Sequence, residues 1–235
     1  MPVARVLGGS RPFLYALAQG GVRLLDSGSE SPPRRRRLDR SSELYVNHNL
    51  AVASFWASVM ATVRFRPIRL GAWIPERDLR ARQLRVKDPR SHRTLPFLPD
   101  AYFELHYATG RVQCCLLEVD LGTHSLARMR RKLRAFELFL AEGLFARTWQ
   151  RSDFEVLLLA SSERRLHHVT SLAREAVPSE RHDAYSFATV NILDPTRFAD
   201  ATWRCLDGET FGLLYGSEKD GQLDVSSTAN EKSAR

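Results

Sequence analysis

The sequence predicts an α/β fold in which a mixed β-sheet is flanked by helices. Apolar residues recur at three- and four-residue spacing over residues 43–64 and 124–142, which is typical of amphipathic helices. A hairpin pattern separates these two segments, and the continuous apolar run Phe154–Ala160 follows the second one. Hairpins pair strands antiparallel, whereas a strand reached through a helix pairs in parallel. Both kinds of pairing are therefore expected in one sheet.

The first elements follow from local patterns. The helix over 43–64 has a stripe at every third or fourth position, and Ser41 or Ser42 can cap it. The stripe consists of Leu44, His48, Val52, Phe55, Val59 and Val63. A strand over 70–74 follows, and residues 77–97 form a polar, arginine-rich excursion. Two strands, Asp100–Tyr107 and Arg111–Leu121, then form a hairpin.

The later elements have clear start and stop residues. Thr123 or Ser125 can cap the helix over 124–142, and Gly143 ends it. Ser161 or Ser162 caps a third helix, which ends before Pro178. A strand over 186–193 and a short terminal hairpin over 203–215 complete the domain. The predicted order is αβββαβαβ.

Three carboxylates are expected to meet at the end of the central hairpin. Asp100 lies nine residues before Thr109, and Glu118 lies nine residues after it. Strands that pair about this turn place the two acids opposite each other, and Asp120 shares the face of Glu118 because side chains alternate along a strand. Such a cluster is costly unless a cation or a proton neutralises it, and the hypothesis that follows is a Mg²⁺ or Mn²⁺ site. Lys132, on the flank of the next helix, can orient water or offset charge on a phosphate.

The composition indicates an acidic binding partner, and nucleic acid is the first candidate. The net charge is +8, the isoelectric point is about 9.9, and only four of the 35 basic residues are lysine. Arginine suits bidentate contacts to phosphate, although a coding bias toward arginine explains the ratio equally well. The three cysteines have no disulfide or zinc spacing, and no run of roughly 20 apolar residues could cross a bilayer. A cytoplasmic protein is expected.

The chain divides into four segments by composition. Residues 1–25 read as strand, turn and strand, a piece too small for its own core. Residues 26–42 form a basic linker, and residues 43–215 form the α/β domain. The polar tail over 216–235 is predicted to be disordered. The linker run of Arg34, Arg35, Arg36 and Arg37 is either a DNA phosphate-contacting arm or a flexible tether.

Several segments together resemble a known family. They are Tyr45–Val52, Trp73–Glu76, Leu98–Ala101, Leu117–Thr123, and Lys132-Leu133 with Phe136. This set is similar to the replication-relaxation family of plasmids and integrated mobile elements, and more broadly to the PD-(D/E)xK nuclease superfamily. The resemblance covers about 43–215. Arg11–Leu17 also looks like the wing of that family's N-terminal winged helix. The preceding helices are missing, so a truncated chain or a late starting methionine is expected.

The resemblance implies a role in plasmid replication or DNA relaxation. It assigns Asp100 and Glu118 as metal ligands and Asp120 as a third ligand or as the replacement of a lysine. The superfamily places a lysine where Asp120 stands, and Lys132 is the candidate surrogate. Glu76 is a weaker candidate for the acid that the superfamily draws from its first helix.

Two main hypotheses follow. One is a Mg²⁺- or Mn²⁺-dependent DNA nuclease or nicking protein, and the other is a non-catalytic DNA-binding factor on an inactive nuclease-like fold. A protein-interaction remnant is a third option, and a tyrosine relaxase is disfavoured because no multi-histidine motif accompanies a tyrosine. DNA is the expected partner, with a homodimer or plasmid replication proteins as further candidates. His48 is interpreted as a packing residue.

Overall fold

The computed structural model describes residues 43–123, 125–194 and 198–213. The chain divides into two units between Asn47 and His48, and the described structure belongs to the second unit apart from the start of the first helix. The predicted winged-helix remnant (1–25), the basic linker (26–42) and the tail (216–235) lie outside the described residues. The arginine run from Arg34 to Arg37 therefore stays a prediction.

Five α-helices and nine strands make up the described chain. The helices are α1 (Glu43–Val63), α2 (Glu76–Ala81), α3 (Leu126–Ala141), α4 (Leu144–Trp149) and α5 (Glu163–Ala176). The strands are β1 (Ile68–Pro75), β2 (Arg85–Lys87), β3 (Thr94–Pro96), β4 (Ala101–Tyr107), β5 (Val112–Asp120), β6 (Glu155–Ala160), β7 (Tyr185–Thr189), β8 (Thr202–Cys205) and β9 (Thr210–Gly212).

Seven of these strands form one mixed sheet in the order β1-β4-β5-β6-β7-β8-β9. β5, β6 and β7 pair in parallel, because helical segments carry the chain from each of these strands to the next. The pairs on either side of them are antiparallel. β2 and β3 form a separate two-stranded sheet. The predicted mixed sheet flanked by helices is confirmed.

The central hairpin has the predicted register. β4 pairs with β5 through Ala101 opposite Leu117 and, nearer the turn, Leu105 opposite Gln113, which centres the hairpin on Thr109. The N–H of Asp100 continues this ladder by donating to the carbonyl of Leu117 at 2.9 Å. Asp100 therefore lies immediately before the first residue of β4, beside the C-terminal end of β5.

Each face of the sheet carries its own core. On one face, Tyr102, Leu116 and Leu158 pack against α3, α4 and α5. On the other face, Leu117 and Leu159 pack with Phe55 of α1 and other apolar residues. Side chains of β5 point alternately toward the two cores. Glu118 and Asp120 lie on the α3 face because they are two and four residues after Leu116. The sheet thus presents both acids toward the helices that follow it.

Local expectations differ from the structure in several places. Ser125 and Ser162 cap α3 and α5 as predicted, each accepting a hydrogen bond from the third following N–H. The excursion over 77–97 contains α2 and the β2–β3 hairpin, which its polarity did not reveal. The strand predicted over 186–193 ends at Thr189 and continues as a 3₁₀ turn. Within the described residues, every helix is too short or too polar to cross a membrane.

Candidate functional site

Asp100 is held at the sheet end by groups from both layers. Its Oδ2 accepts hydrogen bonds from the N–H of Val119 at 2.7 Å and from Nε2 of His48 at 3.0 Å. His48 belongs to α1, on the opposite face of the sheet from α3. Asp100 Oδ1 instead lies 3.6 Å from Nζ of Lys132 in α3. Two donors therefore fix one oxygen of Asp100, and the other oxygen faces the lysine.

Glu118 shares the same lysine. Nζ of Lys132 donates to Glu118 Oε1 at 2.6 Å. Oε2 lies 2.5 Å from the same nitrogen, so the ammonium contacts both oxygens of this carboxylate. The Glu118 side chain is only 1% exposed, and that of Lys132 is 21% exposed. A single ammonium thus bridges two buried carboxylates.

The charges of this cluster are unevenly compensated. Burial and the negative charge of Asp100 raise the pKa of Glu118 to about 8, although Lys132 opposes both effects. Burial also raises the pKa of Asp100, but Lys132 and the hydrogen bond from His48 outweigh it, so the pKa is lowered overall. The hydrogen bond to Asp100 raises the pKa of His48. Asp100 is therefore the carboxyl that ionises more readily, and Glu118 is the one whose charged form the cluster accommodates least well.

Asp120 does not join this cluster. Its side chain is fully buried, and its Oδ2 accepts two hydrogen bonds from Arg165 of α5, at 2.9 Å from Nε and 2.7 Å from the terminal nitrogen. Its Oδ1 accepts from the N–H of Gly122 at 2.8 Å, and the positive φ of 81° at Gly122 closes that turn. Among the described residues, no three acidic, histidine or cysteine side chains are grouped so that they could hold a metal ion. In the structure Lys132 joins Asp100 and Glu118, while Arg165 holds Asp120, and the expected three-carboxylate metal site stays a prediction.

Glu76 lies beside the site through its backbone. Its N–H donates to the carbonyl of Asp100 at 2.8 Å, because Pro75 pairs with Ala101 across β1 and β4. The Glu76 side chain contacts Arg80 one turn later in α2, and its charge also raises the pKa of Lys132. It is therefore a neighbour of the cluster, with its carboxylate directed to an arginine.

Sequence reasoning missed two residues of this region. The sequence favours a packing role for His48 over a ligand role, but its Nε2 donates to Asp100, and it lies within the motif Tyr45–Val52 that carries the family resemblance. No feature of the sequence marks Arg165 as a site residue, since it lies in a run of polar residues just after the helix cap Ser162. Only the parallel pairing of β5 with β6, which starts α5 next to Asp120, brings Arg165 to its partner.

The fold and this cluster define a class: an α/β protein with two carboxylates and one lysine buried at the end of a mixed sheet. Comparison with known families matches residues 2–151 to the family described as replication-relaxation. The match spans more than half of the chain, and the chain belongs to that family. No curated protein and no solved structure matches it.

Proposed function

We propose that this protein binds DNA and cleaves or nicks it with the aid of Mg²⁺ or Mn²⁺ in the replication or relaxation of a plasmid or mobile element. The observation that carries the proposal is the position of Lys132. Its Nζ contacts Glu118 and lies 3.6 Å from Asp100, so an α3 lysine joins the carboxylate pair while Asp120 occupies the strand position of the nuclease superfamily's lysine.

The two carboxylates fit a hard divalent cation. Nζ of Lys132 contacts both oxygens of Glu118 and lies 3.6 Å from Asp100 Oδ1, so a divalent cation held by the two carboxylates would take the place of this ammonium. Mg²⁺ is commonly bound by one or two carboxylates and completes its shell with water and substrate phosphate. The pKa of Glu118 is raised, so a cation bound there would have to displace its proton and would then stabilise the charged form. A bound cation would polarise the phosphate and favour water as a nucleophile.

The chain's own residues have distinct proposed roles. Lys132 offsets negative charge that develops on the phosphate, and it can orient water once it leaves the carboxylates. His48 and the N–H of Val119 hold Asp100 so that Oδ1 faces the site. Asp120 acts at a distance by fixing the turn after β5 through Arg165 and Gly122. This division of roles replaces the predicted three-ligand set.

A second candidate is a non-catalytic DNA-binding factor of the same family. It is favoured by the ammonium of Lys132, which already partly neutralises the pair, and by Asp120 at the position where the nuclease superfamily has a lysine. The net charge of +8 suits this function equally well. The two candidates differ in whether Asp100 and Glu118 are needed for anything beyond folding.

Nicking of supercoiled DNA separates them. The wild-type protein should convert supercoiled to open-circular DNA with Mg²⁺ or Mn²⁺ and not with EDTA. The variants Asp100→Asn, Glu118→Gln and Lys132→Met should lose this activity, while the control Glu142→Gln, an exposed acid just after α3, should keep it. No cleavage with any divalent metal, together with DNA binding that falls steeply with salt, would support the non-catalytic factor. Equal cleavage by Asp100→Asn and the wild type would remove Asp100 from the proposal.

A further inference from the structure

We propose that Arg128 and Arg131, in the first two turns of α3, bind phosphates of a DNA strand beside the carboxylate–lysine cluster. The proposal rests on the DNA binding in the proposed function and adds the surface that performs it. It concerns the exposed side chains of these two arginines, both of which lie close in sequence to Lys132.

Helix geometry places Arg128 next to the cluster. Residues four apart lie on the same side of a helix, about 6 Å from each other along its axis. Arg128 is therefore one turn before Lys132, which contacts Glu118. A short loop connects β5 to α3. The first turn of α3 therefore lies close to the end of the sheet at which β5 finishes, just after Glu118. A strand of DNA that reaches Lys132 would pass Arg128.

Contacts separate the basic residues of this segment into two groups. Arg130 donates to Glu175 of α5 at 2.7 Å, and Lys132 donates to Glu118. Arg128 and Arg131 are exposed, and no side chain between residues 43 and 213 that the structure describes forms an ion pair or hydrogen bond with their guanidinium groups. Arg134, later in the same helix, pairs with Asp88, so three of the five cations of α3 have a side-chain partner, and Arg128 and Arg131 have none among the described residues.

The position of these arginines is unfavourable for the helix itself. The first turn of α3 contains no acidic residue, so Arg128 adds positive charge where the helix dipole is already positive. Arg128 and Arg131 are also three residues apart, a spacing at which like charges repel. An anion bound there would relieve both effects. Such a conflict between local sequence and structure is expected at functional sites.

Phosphate is the anion that suits this pair. A guanidinium group donates two parallel hydrogen bonds to phosphate oxygens, and it stays charged at all physiological pH values. The neighbouring cluster is the proposed place of phosphodiester cleavage, so phosphates of the same strand would arrive there. The inferred ligand is therefore the DNA backbone, contacted without regard to base sequence.

The test measures binding of a fluorescently labelled 20-base-pair duplex by anisotropy in EDTA over a series of salt concentrations. Arg128→Gln and Arg131→Gln are compared with Arg130→Gln, which removes the same charge from the same helix but from a residue paired with Glu175. Each of the first two variants should weaken binding about tenfold and lower the salt slope by about 1. Circular dichroism of all variants checks that the exposed substitutions leave the fold intact.

The outcomes separate the two proposals. Wild-type binding with equal losses in Arg128→Gln, Arg131→Gln and Arg130→Gln would overturn this inference and leave the proposed function standing. Selective losses, together with wild-type affinity of Asp100→Asn and no cleavage by the wild type with any divalent metal, would support the phosphate contacts and contradict only the catalytic part of the proposed function. No DNA binding by the wild type would overturn both.

Discussion

Nζ of Lys132 lies 2.6 Å from Oε1 of Glu118, and this contact ties helix α3 to strand β5 at the end of the sheet. Glu118 is almost fully buried, so loss of the lysine would leave its carboxylate without a charged partner in a buried position. A buried charge without its partner costs far more than a neutral pair in the same place. The contact therefore contributes to stability whether or not the site is catalytic.

Replacing Lys132 should destabilise the protein unless Glu118 is neutralised as well. Lys132→Met should lower the free energy of unfolding by about 3 kcal/mol, because it leaves Glu118 and Asp100 without their shared cation. Lys132→Met combined with Glu118→Gln should recover much of that loss. Urea denaturation of both single variants and the double variant gives the coupling energy. Additive losses would contradict the contact.

Asp120 should behave as a structural residue and not as a metal ligand. Arg165→Ala should lower the free energy of unfolding by about 3 kcal/mol, because the fully buried Asp120 loses both hydrogen bonds to that side chain. Asp120→Asn should also be destabilising, yet it should leave the Mn²⁺ affinity near that of the wild type. Calorimetric titration with Mn²⁺ measures this affinity. A loss of affinity in Asp120→Asn comparable with that in Asp100→Asn would mean that Asp120 is a metal ligand.

His48 should act on the cation through Asp100. His48→Ala removes the hydrogen bond to Asp100 Oδ2 and should weaken Mn²⁺ binding by about 10- to 100-fold, as is usual when a partner of a metal ligand is lost. His48→Gln retains a donor of similar reach and should weaken binding less. Calorimetry on folded protein provides the readout, independent of cleavage. Identical affinities of the alanine variant and the wild type would make His48 a packing residue.

Gly71 should be required for the ring of His106. A Cβ atom at position 71 would fall against Nε2 of that ring and lie 2.7 Å from its Cδ2. Gly71→Ala should therefore lower the free energy of unfolding by about 1–3 kcal/mol through overpacking. The same substitution in a His106→Ala background should cost clearly less, as urea denaturation can show. Equal costs in both backgrounds would mean that the ring and the glycine are independent.

Glu104 should make stability depend on acid pH. Burial raises its pKa, but hydrogen bonds from Tyr102, Arg151 and His106 outweigh this effect and hold the pKa at about 2, below its ordinary value of 4.5. A lowered folded pKa means that the stabilising contribution is complete above about pH 4.5 and is lost as the pH falls toward 2. The difference in unfolding free energy between the wild type and Glu104→Gln should shrink over this interval. A constant difference between pH 6 and pH 2.5 would contradict the account.

Much of the fold could be predicted because its signals are local. The register about Thr109 followed from counting residues on either side of one turn, and the apolar run before Ala160 indicated a strand buried on both faces. The small helix Glu76–Ala81 and the β2–β3 hairpin could not be predicted in this way. Their few apolar residues, such as Leu79, Val86 and Leu95, are buried by packing against distant parts of the chain, and no periodicity marks them.

The candidate site could be predicted only in part. The placement of Asp100 opposite Glu118 follows from strand pairing, and the approach of Lys132 follows from its place on the flank of α3. The partner of Asp120 could not be read from the sequence, since Arg165 is 45 residues away and meets it only through parallel pairing of two strands. Alternation along β5 correctly gave the face of Asp120, but a face does not determine which neighbour a side chain contacts.

The central claim is that Asp100 and Glu118 together hold a divalent cation. Crystals of the wild-type protein soaked in Mn²⁺, with anomalous scattering recorded at the manganese edge, test it most directly. The account predicts one strong anomalous peak contacting carboxylate oxygens of both Asp100 and Glu118, lost in Glu118→Gln crystals treated identically. No peak between these residues at saturating Mn²⁺, with Lys132 still bridging the pair, would contradict it.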